Sequence, residues 1–366
     1  MNIDAHVVTS EEVYRIAGVR GFGNGVFARE QITGGQTSYK VLHRMAGGQF
    51  IMSRLKAFEG AIALVPDEFD GYFASPEFPT FSLREGVGES RYVKHLFGWP
   101  AFWDMLKGES KGIGARRERV STERLLALQV PLPHVNEQRR IANKLDATMG
   151  SIARVVQLKK ESDALVRQHA DSLFGSIAEQ RPLSSALNES SDFVAVSPEK
   201  TYRTAGILNR GRGLFHRPVI SGNETKYPRY NQLKSQQFVY SKLFGWEGSL
   251  AVVPADFHGI HVSHEFPTFD IAEDVADVSY MTHLARWDGL HQRLKDQGSG
   301  MGSRRQRVNV SRLLTTEVPL PSLPEQRRIA ERLTLARGVA EAGARQVADL
   351  ETLRNGLLDA NFSGRL

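Results

Sequence analysis

The sequence predicts an α+β protein: two pseudo-twofold-related domains separated by two long helices that form an antiparallel coiled coil. Three observations predict it. First, the chain is written twice. Tyr14-Arg15 recurs as Tyr202-Arg203, Glu77-Phe-Pro-Thr-Phe81 as Glu265-Phe-Pro-Thr-Phe269, and Val130-Pro-Leu-Pro133 as Val318-Pro-Leu-Pro321. Glu137-Gln-Arg-Arg-Ile-Ala142 returns as Glu325-Gln-Arg-Arg-Ile-Ala330, and every pair lies 188 positions apart. Between positions 14 and 81 there are 29 identities in 68 pairs. A period of half the chain is too long for a solenoid and describes two homologous domains. Second, short apolar runs alternate with glycine and proline early in each copy. Third, each copy then passes into a long stretch with helical apolar spacing.

The elements follow in order. In the first domain, residues 1–133, apolar runs sit between turn residues: Gly60-Ala-Ile-Ala-Leu-Val-Pro66, Tyr72-Phe-Ala-Ser75 and Phe78-Pro-Thr-Phe-Ser-Leu83. Breakers every six to ten residues, with β-branched and aromatic residues between them, predict a compact strand-rich domain. Residues 90–107 and 278–295 read as helical patches, the first interrupted by Pro100. Pro131 and Pro133 bar helix, and from Asn136 no breaker appears until Gly150. Apolar residues at Ile141, Leu145, Ile152, Val156, Val166, Leu173 and Ile177, with Thr148 as a weak member, make a narrow seam over residues 134–178, interrupted by Lys159-Lys160-Glu161. The second copy repeats the domain over 179–321. Its helix, 322–366, carries a seam of Ile329, Leu333, Ala336, Ala340, Val347, Leu350, Leu353 and Leu357. A narrow seam needs a partner helix, and the obvious partner is the other copy. Forty residues at about 1.5 Å each make a rod of roughly 60 Å. Continuing the offset matches Phe174 to Phe362 and leaves only 179–188 without a counterpart, so the chain ends are expected to lie close together.

Composition bounds the function. At 366 residues there is room for two to three domains with their own cores. The content of 41% hydrophobic and 24% charged residues is that of a soluble globular protein. A net charge of +6 suits a polyanionic partner. With no cysteine, disulfides and thiolate metal sites are excluded, and a reducing cytoplasm is the expected home. The first residues lack a signal-peptide layout, and no stretch approaches 18 consecutive apolar residues, so no membrane span is expected.

At the repeated Val-Pro-Leu-Pro and Glu-Gln-Arg-Arg-Ile motifs the chain resembles the specificity subunits of type I restriction–modification enzymes. The resemblance covers essentially the whole chain. It implies two target-recognition domains, 1–133 and 179–321, each reading one half of a bipartite site in double-stranded DNA. The spacer helices, 134–178 and 322–366, would set the gap. It also implies two methyltransferase subunits docked on the helical region, carrying out S-adenosylmethionine-dependent adenine methylation, and restriction subunits joining for ATP-dependent cleavage. The chain itself is expected to be non-catalytic and to hold no cofactor. The first domain starts at Met1 without the leader that precedes the second, and missing residues there would weaken the first reader. A different class of reading is a protein-binding adaptor with a helical dimerisation rod.

The candidate DNA contacts begin with the loop Gly112-Ile-Gly-Ala-Arg-Arg-Glu-Arg-Val120 and its copy Gly300-Met-Gly-Ser-Arg-Arg-Gln-Arg-Val308. The glycines suit a mobile or tightly turned loop. Arg116, Arg117 and Arg119, with Lys111 just before them, and Arg304, Arg305 and Arg307 supply guanidinium forks for phosphate or guanine. A solvated turn is the plainer alternative. Contacts shared by both copies fit phosphate, because such contacts position without specifying sequence. Specificity is expected where the copies differ: Arg20-Gly-Phe-Gly-Asn24 against Leu208-Asn-Arg-Gly-Arg212, and Lys40-Val-Leu-His-Arg44 against Pro228-Arg-Tyr-Asn-Gln232. Those segments nominate Arg20, Arg44, Arg210, Arg212 and Arg229. Arg54 and Lys242 precede a shared leucine, and Lys56 is replaced by Phe244. Neutral drift at a surface gives the same divergence.

Other features read as structural. The Gly23/Gly25 and Gly211/Gly213 pairs lack a nucleotide fingerprint and suit tight turns. Trp99, Trp103, Trp246 and Trp287 read as packing residues, and Glu77 and Glu265 as buried structural carboxylates. The histidines show no metal-ligand spacing. There is no Asn/Asp-Pro-Pro-Tyr segment or recognisable nucleophile turn, and neither copy reliably supplies the carboxylate–lysine pair of a metal-dependent nuclease.

Overall fold

The computed structural model describes residues 4–107, 119–296 and 307–363. The chain forms two compact units, residues 1–157 with 345–366, and residues 158–344. Among the described residues the α-helices are α1 (Ser90–Phe97), α2 (Pro100–Met105), α3 (Thr122–Ala127), α4 (Val135–Gly175), α5 (Val278–Ala285), α6 (Asp288–Asp296), α7 (Val310–Thr315) and α8 (Leu323–Phe362). The unit division cuts both long helices, so each unit holds the start of one and the end of the other. No described helix is long and apolar enough to cross a membrane.

Unit 1 is built on the strand Phe50–Met52, which pairs antiparallel with Thr80–Phe81 and Ile62–Leu64. All three of its residues are buried because successive side chains serve opposite faces. Phe50 and Met52 join Tyr92, Leu96, Trp99 and Phe102 beneath the helices, whereas Ile51 joins Ala17, Met45 and Phe69 on the other side. A second sheet has Val41–Arg44 at its centre, paired antiparallel with Asp4–Val7 on one side and Phe73–Ala74 on the other. A hairpin, Ala17–Val19 with Val26–Ala28, crosses the second core.

Unit 2 repeats this arrangement. Phe238 and Tyr240 face the helical core while Val239 faces the smaller one. It also holds elements from the stretch without a counterpart: Gln180–Pro182 pairs with Glu317–Pro319, and Leu187–Glu189 adds an edge strand beside Thr268–Ile271.

The Glu-Gln-Arg-Arg-Ile motif has a role at nearly every residue. Gln138 is fully buried; its amide nitrogen donates to Val87 O (2.9 Å) and Pro133 O (2.7 Å), and its oxygen accepts from Glu89 N–H (2.9 Å). Gln326 does the same with Val275, Pro321 and Asp277 at 2.9, 2.8 and 2.9 Å. Glu89 and Asp277 in turn cap α1 and α5, accepting from Tyr92 and Tyr280 N–H. The tyrosine hydroxyls donate to Pro131 O and Pro319 O at 2.8 and 2.7 Å, inside Val-Pro-Leu-Pro. Glu137 and Glu325 hold Arg140 and Arg328 one helical turn on.

The ends of the long helices close each unit. Phe362 of α8 packs edge-on against Tyr92 and tilted against Trp99 of unit 1, centroids 5.2 and 5.9 Å apart. Phe174 of α4 does so with Tyr280 and Trp287 of unit 2, at 5.5 and 5.1 Å. Within unit 2 the helices run antiparallel: Ala170 and Phe174 share a core with Ile329 and Leu333, and Lys159 lies against Gly343.

Two expectations are corrected. The patch 278–295 is interrupted as well, without a proline. The last carbonyls of α1 and α5, Phe97 O and Ala285 O, lie against ring nitrogens of the next helix, Trp103 Nε1 at 2.7 Å and His291 Nε2 at 2.9 Å. That side-chain contact sits at both breaks, so Pro100 is not what the break requires. Leu353 is not in the α8 seam; it is 51% exposed, and Arg354 takes the inward place. Its guanidinium lies beside Gly23 and Gly98, where an added Cβ would be 3.8 and 3.9 Å from Arg354 Nη2.

Candidate nucleic-acid interface

Lys111, Arg116, Arg117, Arg304 and Arg305 lie outside the described residues, but the bases of both arginine loops are described. On leaving its loop, Arg119 pairs with Glu77 at 3.1 Å, and Arg307 pairs with Glu265 at 2.5 Å. Backbone bonds lock the same place. Val120 N–H donates to Arg54 O (2.8 Å) and Arg54 N–H to Glu77 O (2.9 Å). Val308, Lys242 and Glu265 repeat this at 2.9 and 2.9 Å. Arg124 and Arg312, near the starts of α3 and α7, reach back to the carbonyls of Lys107 and Leu294. The loop exits are thus pinned by ion pair and backbone together.

Glu77 and Glu265 are structural carboxylates as expected but half-buried rather than buried; each anchors an arginine. Burial pushes the Glu265 carboxyl upward, but the Arg307 hydrogen bond and charge outweigh it and hold it below its ordinary value. Arg307 is raised in return. Both arginines remain more than half exposed, so each fork has donors left for an anion.

The hairpin tips occupy a second location. Phe22 and Arg210 are exposed and left-handed, at φ 59° and 57°. Such a backbone costs about 1–3 kcal/mol for a residue with a Cβ. Gly23, Gly25, Gly211 and Gly213 are left-handed as well, as the tight-turn reading expects. Each tip docks on the following turn: Phe22 N–H donates to Glu59 O (2.7 Å) and Arg210 N–H to Glu247 O (2.8 Å). Beneath these turns Gly60 and Gly248 face Trp103 and His291, where a Cβ would come within 2.6 Å of the ring.

The nominated basic residues divide accordingly. Arg54, Lys56 and Arg119 share the loop base in unit 1, and Lys242 and Arg307 share it in unit 2, where Lys242 Nζ donates to His264 O at 3.3 Å. Arg20 lies over Phe27 beside its tip, 5.0 Å from the ring centroid, and Arg212 donates to Asn209 O at 3.1 Å. Arg44 and Arg229 belong to the other sheet, where Arg229 stacks over Phe193 at 4.2 Å. Sequence reasoning missed Phe22 and Phe244 as exposed side chains of the tip and turn. The signal was available, since both differ between copies, Phe22 beside a shared glycine and Phe244 beside a shared leucine. Trp99 and Trp287 are core, and Trp103 and Trp246 pack against it. Among the described residues no group of three or more His, Asp or Glu could hold a metal ion.

A chain from a structure of the complex assembly and conformational transition of the type I R-M system aligns with TM-score 0.60 and 17% identity. The alignment covers 96% of this chain and 91% of that one. The fold is that of a type I R-M chain. The HsdS subunit from Thermoanaerobacter tengcongensis aligns at 17% identity and TM-score 0.43 over 100% of this chain and 95% of that one. The type I restriction–modification S subunit from M. genitalium aligns at 14% and 0.46 over 97% and 92%. No protein-family model and no curated protein matches the sequence. On this type I fold, the arginine loop base and the hairpin tip recur in both units on one hydrogen-bonded turn, residues 54–60 and 242–248.

Proposed function

We propose that the chain is the DNA-recognition subunit of a type I restriction–modification complex. Each unit reads one half of a split target, and the long helices fix the gap between halves. Two methyltransferase subunits dock on the helical region and bring S-adenosylmethionine; restriction subunits join the same assembly. The chain reads and does not catalyse.

The observation that carries this reading is the duplicated, pinned exit of an arginine-rich loop. Two copies of one phosphate-facing device, each rigidly based, suit a repeating polyanion. Major-groove faces recur about every 34 Å, so a helical spacer can hold two readers in register with the duplex. A flexible linker would leave that gap variable.

Methylome sequencing of a host with and without the chain tests the assignment. The expected result is loss of one split adenine-methylation motif; an unchanged methylome would refute it. Salt dependence tests the loop base. Arg119→Gln and Arg307→Gln should each weaken duplex binding whatever the sequence, and each should lower the log–log salt slope by about 0.9. A protein-binding adaptor would give no salt-dependent duplex affinity at all.

A further inference from the structure

In each unit, two positions combine a fixed backbone with an exposed side chain whose chemistry changes between the copies. The first is the hairpin tip, Phe22 or Arg210, held left-handed in both units. Two backbone bonds clamp each tip: Phe22 to Glu59 (2.7 Å) with Gly23 to Gly60 (3.1 Å), and Arg210 to Glu247 (2.8 Å) with Gly211 to Gly248 (2.7 Å). The second is the turn residue Lys56 or Phe244, whose carbonyl accepts from Glu59 or Glu247 N–H at 3.0 Å in both units. Tip and turn are therefore one hydrogen-bonded body.

The side chains at these two positions are exchanged. Unit 1 carries an aromatic ring at the tip and a cation on the turn; unit 2 carries a cation at the tip and an aromatic ring on the turn. All four point outward: Phe22 is 68% exposed, Lys56 64% and Phe244 50%, with Arg210 exposed as well. Packing does not account for Phe22, which touches Trp103 only edge-on at 6.3 Å. A tip with no task would relax to glycine, the residue that follows it in both copies, because glycine adopts this backbone freely.

We propose that tip and turn form the base-reading pair of each unit, with aromatic and cation in opposite order. This rests on the DNA-recognition reading above. The aromatic ring presses on a thymine methyl or stacks on a base, and the cation takes an acceptor edge, Arg210 with its fork on guanine O6 and N7. The other end of the same turn holds the arginine-loop exit, through Arg54 and Lys242. The pair therefore sits beside the phosphate-facing base. A side chain on a clamped backbone loses little freedom on binding, as discrimination requires.

The test is selection from a random-sequence duplex library by the full chain, with melting temperature as a control. The wild type should enrich a split motif. Phe22→Gly should lose about tenfold preference at one or two positions of one half-site only, and Arg210→Gly should do so in the other half. Neither should lower the melting temperature, since glycine suits the angle. Phe22→Arg combined with Lys56→Phe should change the preferred bases of one half-site and leave the other intact. If the wild type enriches a split motif and every variant enriches the same one, or if each variant weakens both halves equally, the pair does not read bases. If the wild type enriches nothing, DNA recognition itself fails and this assignment with it.

Discussion

Unit 1 and unit 2 solve the same packing problems with different side chains, and the substitutions show what the scaffold demands. Under the turn glycines, Gly60 and Gly248, unit 1 places Trp103 and unit 2 places His291. Both are flat rings whose nitrogen lies within hydrogen-bonding reach of the carbonyl ending the preceding helix. The demand is for a flat group with a polar edge, and two residue types meet it. One helix earlier the copies diverge electrically. His95 lies 2.8 Å from the Asp146 carboxylate, whereas His283 lies 2.9 Å from the Thr334 hydroxyl. Beside the inserted phenylalanines, Trp99 donates to Asp359 at 2.5 Å, whereas among the described residues Trp287 Nε1 finds no acceptor. Shape is held between the copies while charge is free to change.

The largest expected effect tests whether the two closures are equivalent. Phe362→Ala and Phe174→Ala should each cost about 3–5 kcal/mol by denaturant unfolding, since each deletes a buried ring between two others. A large difference between them would show that Trp99–Asp359 carries one closure. Next come the clamps. Gln138→Leu and Gln326→Leu should each cost about 2–3 kcal/mol by unfolding, with faster hydrogen exchange at Glu89 and Asp277 N–H respectively. If only one variant is destabilised, the shared hydrogen-bond pattern is not a shared energetic one.

The third prediction concerns acid. Burial depresses both imidazoles, but Asp146 pulls His95 back upward, while burial and the charges of Arg337 and Arg286 push His283 down to about 4. A buried neutral imidazole gives the unfolded chain more bound protons between pH 6.5 and about 4. Stability is therefore full above pH 6.5 and falls as the pH drops through that window, by up to about 3 kcal/mol for His283. Thr334→Asp supplies the partner that unit 1 already has and should flatten the loss of unit 2 stability with acid. An unchanged slope would mean that neighbouring charge does not set the difference between these histidines.

Much of the fold was legible because duplication doubled every signal. The helices α4 and α8 followed from apolar spacing in threes and fours, and Glu-Gln-Arg-Arg-Ile marked their starts. The role of Gln138 was not legible, since a polar residue at a helix start reads as exposed until its three partners are known. Leu353 misled because apolar spacing cannot reveal that Arg354, not Leu353, turns toward Gly23 and Gly98, far away in sequence. The second helix break was hidden because a ring nitrogen at the last helical carbonyl has no local signature. Among the candidate contacts, arginines in a glycine loop were easy to nominate, but their anchoring by Glu77 and Glu265 joins positions forty-two apart. Phe22 was overlooked because only the arginine of its divergent segment was nominated, and sequence alone does not show that its ring is exposed.

The inserted phenylalanines mean that the sequence repeat and the folded unit are out of phase. Cutting the chain between repeats would give two pieces, each with a vacant aromatic socket and a bare helix end carrying the matching plug. Such halves would be incomplete alone and complementary to each other, and a single half could pair with its own twin.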